Sequence, residues 1–211
     1  MNEIIQRNAE QLLDEKALEV FTKNSDKSGR AKIMSEDEKH LWQKYGPPFF
    51  PSGSGIKSLN HRYVAGLFME KHMILYAPQE ERFFLYDHGN GIWEAQDEEF
   101  IREKVAEMIH LFASKYEMVA IYILEKNTIA FQENVIKALK GTARNSDAFS
   151  ARHQAIHCAN KMLIYDHMAA QWQSLDFAPE YFSRNRSPIR FEPKAECPEF
   201  LDKLLRPAMT R

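Results

Sequence analysis

Residues 83–94, Phe-Phe-Leu-Tyr-Asp-His-Gly-Asn-Gly-Ile-Trp-Glu, constrain the local fold more than any other stretch of this chain. Two β-prone runs, 83–86 and 92–93, flank Asp87-His88-Gly89-Asn90-Gly91. Glycine and asparagine tolerate positive φ, so the five residues suit a tight hairpin, with Asp87 as a turn residue. The acidic run Asp97-Glu98-Glu99 follows at once and opens a helix, where negative charge complements the helix dipole.

Around this hairpin the periodicities give an α+β fold, mostly helical, with a small antiparallel meander and a second short hairpin. Strands are expected at 73–77, 82–87 and 91–95, and Gln79-Glu80-Glu81 forms the first turn. Apolar residues at helical spacing predict helices over 3–23, 36–45, 61–71, 98–115 and 128–140. Ser35 and Glu38 form a capping box for the second of these, and Asn60 caps the third. Gly141 is expected to stop the helix that begins at 128. The apolar run 118–124 fits a strand or a helix end, and 147–157 reads as helical. Residues 161–165 and 172–175 form the second hairpin, 187–191 are extended, and 198–205 are a short helix. Pro/Gly/Ser-rich residues 46–58 read as a linker, dividing a helical segment 1–58 from a main domain 59–211.

The net charge of −2 hides an asymmetry. Residues 76–108 carry nine acidic and three basic side chains, a net of −6. Residues 137–161 carry five basic and one acidic, a net of +4; residues 181–211 carry seven and four, a net of +3. A polyanion is repelled by the hairpin region and attracted by the later half. Arginine forks suit phosphates, and Arg184-Asn185-Arg186-Ser187-Pro188-Ile189-Arg190 offers three in an accessible loop. The candidate nucleic-acid contacts are therefore Lys137, Lys140, Arg144, Arg152, Arg184, Arg186 and Arg190. Trp93 and Trp172 can stack on bases, although tryptophan in a short strand more often belongs to a core.

Several motifs fall short of chemistry. Ser52-Gly53-Ser54-Gly55-Ile56-Lys57-Ser58 lacks the glycine that a Walker A loop needs before its lysine. His153 and His157 stand four apart, a zinc spacing, but position 154 holds glutamine where a zincin has glutamate. No nucleophile elbow or Cys-x-x-Cys pair occurs. No catalytic residue, metal or cofactor is expected, and no activity of the chain alone. Two cysteines, Cys158 and Cys197, make no disulfide framework. The first residues show neither a basic n-region nor an apolar h-region, and no apolar run approaches the ~18 residues of a membrane span. The expectation is a cytoplasmic protein without membrane partners.

Two regions together resemble a known family. The first runs over 60–108 and contains Phe84-Leu85-Tyr86-Asp87 and Gly91-Ile92-Trp93. The second contains Cys158-Ala159-Asn160-Lys161-Met162-Leu163 and then Ser187-Pro188-Ile189-Arg190-Phe191-Glu192-Pro193-Lys194-Ala195-Glu196-Cys197-Pro198-Glu199-Phe200-Leu201. The order is similar to the domain preceding the superfamily 3 helicase in phage, plasmid and poxvirus D-five-type primase-helicases. The chain departs from that pattern at Asn160-Lys161, where the family has asparagine-glycine, and its following aspartate is displaced to Asp166. The resemblance implies a non-catalytic accessory domain that supports helicase assembly and single-strand handling. The partners it implies are single-stranded or forked DNA, a superfamily 3 helicase module in cis or trans, and further copies in a homo-oligomer. In the family an ATPase follows this tail, so an excised or shortened chain is expected. The alternative is a protein-interaction or oligomerisation module with no nucleic-acid role.

Overall fold

The computed structural model describes residues 36–52, 55–116, 120–150 and 155–195. The expected helices at 3–23 and 198–205, the Ser35 capping hydroxyl, His153 and Cys197 lie outside them. The described residues hold helices α1 (Glu36–Tyr45), α2 (His61–Lys71), α3 (Glu98–Ser114), α4 (Ala120–Glu125) and α5 (Ile129–Thr142). They also hold three small sheets: β1 (Phe49–Ser52) with β2 (Gly55–Leu59), β3 (Ile74–Ala77) with β4 (Arg82–Asp87) and β5 (Ile92–Gln96), and β6 (Ala155–His157) with β7 (Met162–Asp166) and β8 (Gln171–Leu175). The fold is α+β, and the expected meander is the middle sheet. By packing, the described residues divide into two units, 36–86 with 93–150, and Asp87–Ile92 with 155–195.

Asn60 organises the start of the first unit. Its Oδ1 accepts from the amides of Arg62 and Tyr63, capping α2, while its Nδ2 donates to the carbonyls of Tyr45 and Pro47. One side chain thus satisfies orphan groups at the end of α1 and the beginning of α2. Asp97 caps α3 through the Phe100 amide, and Thr128 caps α5 through the Phe131 amide. The apolar faces of these helices close one core containing Tyr63, Phe68, Ile101, Ile109, Val135 and Leu139. Phe83 of β4 enters that core from the meander, where β4 runs antiparallel to β3 with Phe83 opposite Tyr76. Phe84 faces the other way and meets Phe149 at 4.6 Å, and Tyr86 meets Trp93 at 5.4 Å. Both faces of the meander are buried, so Trp93 is a core residue.

Residues 46–58 do not form the expected linker. With Leu59 they form the β1–β2 hairpin, and Phe49 and Ile56 join Leu59 in the core. Proline and glycine marked the composition, but three well-spaced apolar side chains decide the packing; burying each contributes about 1.5–3 kcal/mol. The ambiguous run at 118–124 supplies α4, with Ile123 buried. Helix α5 passes through Gly141 and ends at Ala143, whose amide bonds the Leu139 carbonyl. Gly141 there has no close neighbour and no positive φ, so it neither caps nor breaks the helix.

The second unit is richer in strand than expected. The helix expected over 147–157 is absent from its described part: residues after Asp147 form a turn, and Ala155–His157 is strand β6. Pairing of His157 with Met162 and of Ala155 with Ile164 overrides the local helical pattern. The second hairpin is therefore two strands of a three-stranded sheet.

Candidate nucleic-acid interface

The tip of the β4–β5 hairpin is built by Asp87. Its Oδ1 accepts from the Gly89 amide at 2.7 Å and the Asn90 amide at 3.3 Å, and Asn90 Nδ2 donates to Oδ2. These hydrogen bonds, the Gly89 amide foremost, hold the Asp87 carboxyl below the usual carboxylate range, and the nearby Arg186 guanidinium adds to the effect. Gly91 sits at φ +68°, and a Cβ built there falls 2.4 Å from Cγ of Phe177. Glycine is required at that point twice over, by backbone conformation and by the ring against it.

Next to this tip lies a buried polar side chain. His157 is 7% exposed and its ring packs on Phe177 at 4.7 Å. Neither ring nitrogen has a hydrogen bond of good geometry among the described residues. Burial lowers its pKa, and Arg186 lowers it further against the opposing influence of the Asn90 backbone. The imidazole is thus held neutral as part of the packing. His157 lies on strand β6 rather than on a helix face, and His153 lies outside the described residues. Among the described residues no group of three His, Cys, Asp or Glu side chains can hold a metal ion.

The arginine-bearing segment is anchored along its backbone. Ser187 N–H donates to the His157 carbonyl at 2.8 Å, and Ala159 N–H donates to the Ile189 carbonyl at 2.8 Å. Asn160 then brackets Phe191: the Phe191 amide donates to Oδ1 at 2.7 Å, and Nδ2 donates to the Phe191 carbonyl at 3.0 Å. The segment is not the uninterrupted extended run expected: the backbone bends at Pro188 and Ile189, where the Ile189 amide donates to Ser187 Oγ at 3.2 Å. Arg184, Arg186 and Arg190 are all exposed along it. Asp87 shares the field of Arg186, whereas Arg190 forms no ion pair among the described residues.

The same unit presents an aromatic face. Strand alternation places Leu163 and Tyr165 of β7 opposite Ser174 and Trp172 of β8, with Ile156 of β6 beside them. Tyr165 and Trp172 meet edge to face at 5.3 Å, and Trp172 is 53% exposed. Trp172 is therefore not a core residue.

The remaining sequence candidates fall elsewhere. Lys137, Lys140 and Arg144 lie on α5 and its exit, in the first unit. Lys137 is exposed. Lys140 is committed to Glu98 and also lies over the Tyr76 ring at 5.4 Å, so its charge is largely spent on the fold. The Arg144 backbone bridges to Tyr76, leaving its side chain exposed. Arg152 lies outside the described residues. Sequence reasoning did not single out Asn160, Phe177 or Tyr165 as the groups that hold this surface; only Asn160 carried a signal, through its place in the resemblance. Comparison with family models and with curated proteins gives no match.

Proposed function

We propose that this chain is a non-catalytic accessory domain of a phage- or plasmid-type primase-helicase, and that it handles single-stranded DNA during replication. The observation that carries the reading is the run of exposed Arg184, Arg186 and Arg190 on a backbone held at His157, Ala159 and Asn160. Guanidinium groups displayed along a backbone-anchored segment suit the repeating phosphates of a strand. Trp172 and Tyr165 in the same unit supply π-faces for bases, which stack without sequence preference. The partners of this reading are single-stranded or forked DNA and a superfamily 3 helicase module that provides the motor. Fluorescence anisotropy with a labelled oligothymidylate tests it: the wild-type chain binds, and Trp172→Ala weakens binding by about 1–3 kcal/mol. Equal binding by the two removes stacking from the reading.

A second reading, a protein-interaction or oligomerisation module, is favoured by a specific observation. Met168, Ile189 and Trp172 are 98%, 72% and 53% exposed in the second unit. Large apolar side chains left this open to solvent are available to a partner surface. Light scattering across concentration separates the readings: concentration-dependent growth without oligonucleotide binding supports association alone.

A further inference from the structure

The first unit contains a cleft of about 540 Å³ between the β1–β2 hairpin, the start of α2, the exit of α4 and the first turns of α5. That volume lies within the range of roughly 300–1,000 Å³ typical of small-ligand sites. Phe50 and Phe131 form its apolar walls, and Lys57, Lys126, His61 and Asn134 supply polar groups. None of the lining residues is acidic, although the whole chain has 30 acidic against 28 basic side chains. Lys57 is exposed, Lys126 is half-buried, and neither forms an ion pair among the described residues. Contrast Lys140, Lys104 and Lys161, each of which meets a carboxylate.

We infer that this cleft binds a nucleoside phosphate, either free or as one link of a single strand. The two ammonium groups suit phosphate oxygens as point charges, and the Phe50 and Phe131 rings suit a flat base. Asn60 also lines the cleft, but all of its hydrogen-bonding capacity toward protein is engaged in capping α2 and tying down Tyr45 and Pro47. Hydrogen bonding to the ligand therefore falls to the Ser58 hydroxyl, Asn134 and the His61 imidazole. Burial, then the neighbouring Arg62, lowers the His61 pKa and keeps that ring neutral near pH 7, so it can donate one N–H. The inference goes beyond the arginine segment, because every residue of the cleft belongs to the first unit.

The test uses the full chain and three probes by calorimetric titration: thymidine monophosphate, a short oligothymidylate and inorganic phosphate. A Lys57→Glu/Lys126→Glu variant with an unchanged melting profile is expected to lose about tenfold or more in affinity for the nucleotide probes, whereas Lys57→Arg/Lys126→Arg retains it. If charge reversal perturbs folding, Lys57→Gln/Lys126→Gln replaces it, with a loss in the same direction. Phe131→Ala is expected to weaken the nucleotide probes and leave inorganic phosphate unchanged. Binding of the monophosphate assigns a free nucleotide; binding of the oligomer alone, still lost on charge reversal, assigns a strand. Changing Arg184, Arg186 and Arg190 to Ala leaves monophosphate affinity intact, which separates failure of the arginine reading from failure of this one. Nucleotide affinity that ignores both lysine pairs, affinity no better than that of inorganic phosphate, or no nucleotide binding at all overturns the inference.

Discussion

Asn160 holds Phe191 by both of its backbone groups, accepting from the amide at 2.7 Å and donating to the carbonyl at 3.0 Å. A side-chain amide here substitutes for a neighbouring strand, and it fixes the exit of the segment that carries Arg184, Arg186 and Arg190. Asn160→Ala leaves a partly buried pair of backbone groups without these partners. The expected loss is about 1–3 kcal/mol in urea unfolding. Asn160→Asp keeps an acceptor for the amide and loses the donor, so it is expected to fall between the two.

Gly91→Ala tests the seating of the hairpin tip. The new methyl group meets Phe177 at 2.4 Å on a backbone at φ +68°, and the combined strain and overpacking cost is expected to be about 2–4 kcal/mol. Phe177→Ala introduced into Gly91→Ala should recover the steric part, a non-additivity that a double-mutant cycle reads directly.

Phe49→Ala tests the role of the β1–β2 hairpin. Phe49 is fully buried and meets Tyr116 edge to face at 6.2 Å. Truncation is expected to cost about 3–5 kcal/mol by chemical denaturation. A change within about 0.5 kcal/mol, ordinary for a surface position, would return residues 46–58 to the role of a linker.

Burial lowers the pKa of His61, His72 and His157, so the unfolded chain binds protons that the folded chain refuses. Stability is therefore expected to rise with pH through this window and to fall as pH drops below about 6.5. Urea unfolding at pH 7.5 and 5.5 measures the difference, and His157→Gln should reduce it. Asp87 has the opposite charge type and a depressed pKa, so its contribution persists to lower pH and is lost as pH falls below about 3.9 toward the folded value.

The parts legible in sequence were those with short-range causes. Asn60 before an apolar helix and alternating runs around a glycine-rich turn each dictate their own neighbourhood, and the structure places both as expected; the acidic run opens α3 as expected, with Asp97 as its cap rather than in its first turn. Residues 46–58 and 147–157 went astray for one shared reason. Their state is decided by distant partners: the helical core around Phe49, and β7 beside Ala155–His157. Gly141 misled because glycine permits a helix end without requiring one. At the candidate interface the arginines were legible as charge, but the anchors were not. Nothing local to Phe177 announces Gly91 beneath it, and nothing local to Trp172 says that its face of the sheet stays open.

The central claim is that Arg184, Arg186 and Arg190 contact the phosphates of single-stranded DNA. Oligothymidylate affinity measured across salt concentrations for the wild-type chain and for the triple Ala variant tests it most directly. Three phosphate contacts contribute about 2 to the slope of log affinity against log salt on a single strand. The wild-type slope is expected to be steep, and the variant to bind more weakly with a slope shallower by about that amount. Binding that is independent of salt, or a variant that matches the wild type in affinity and slope, would contradict it.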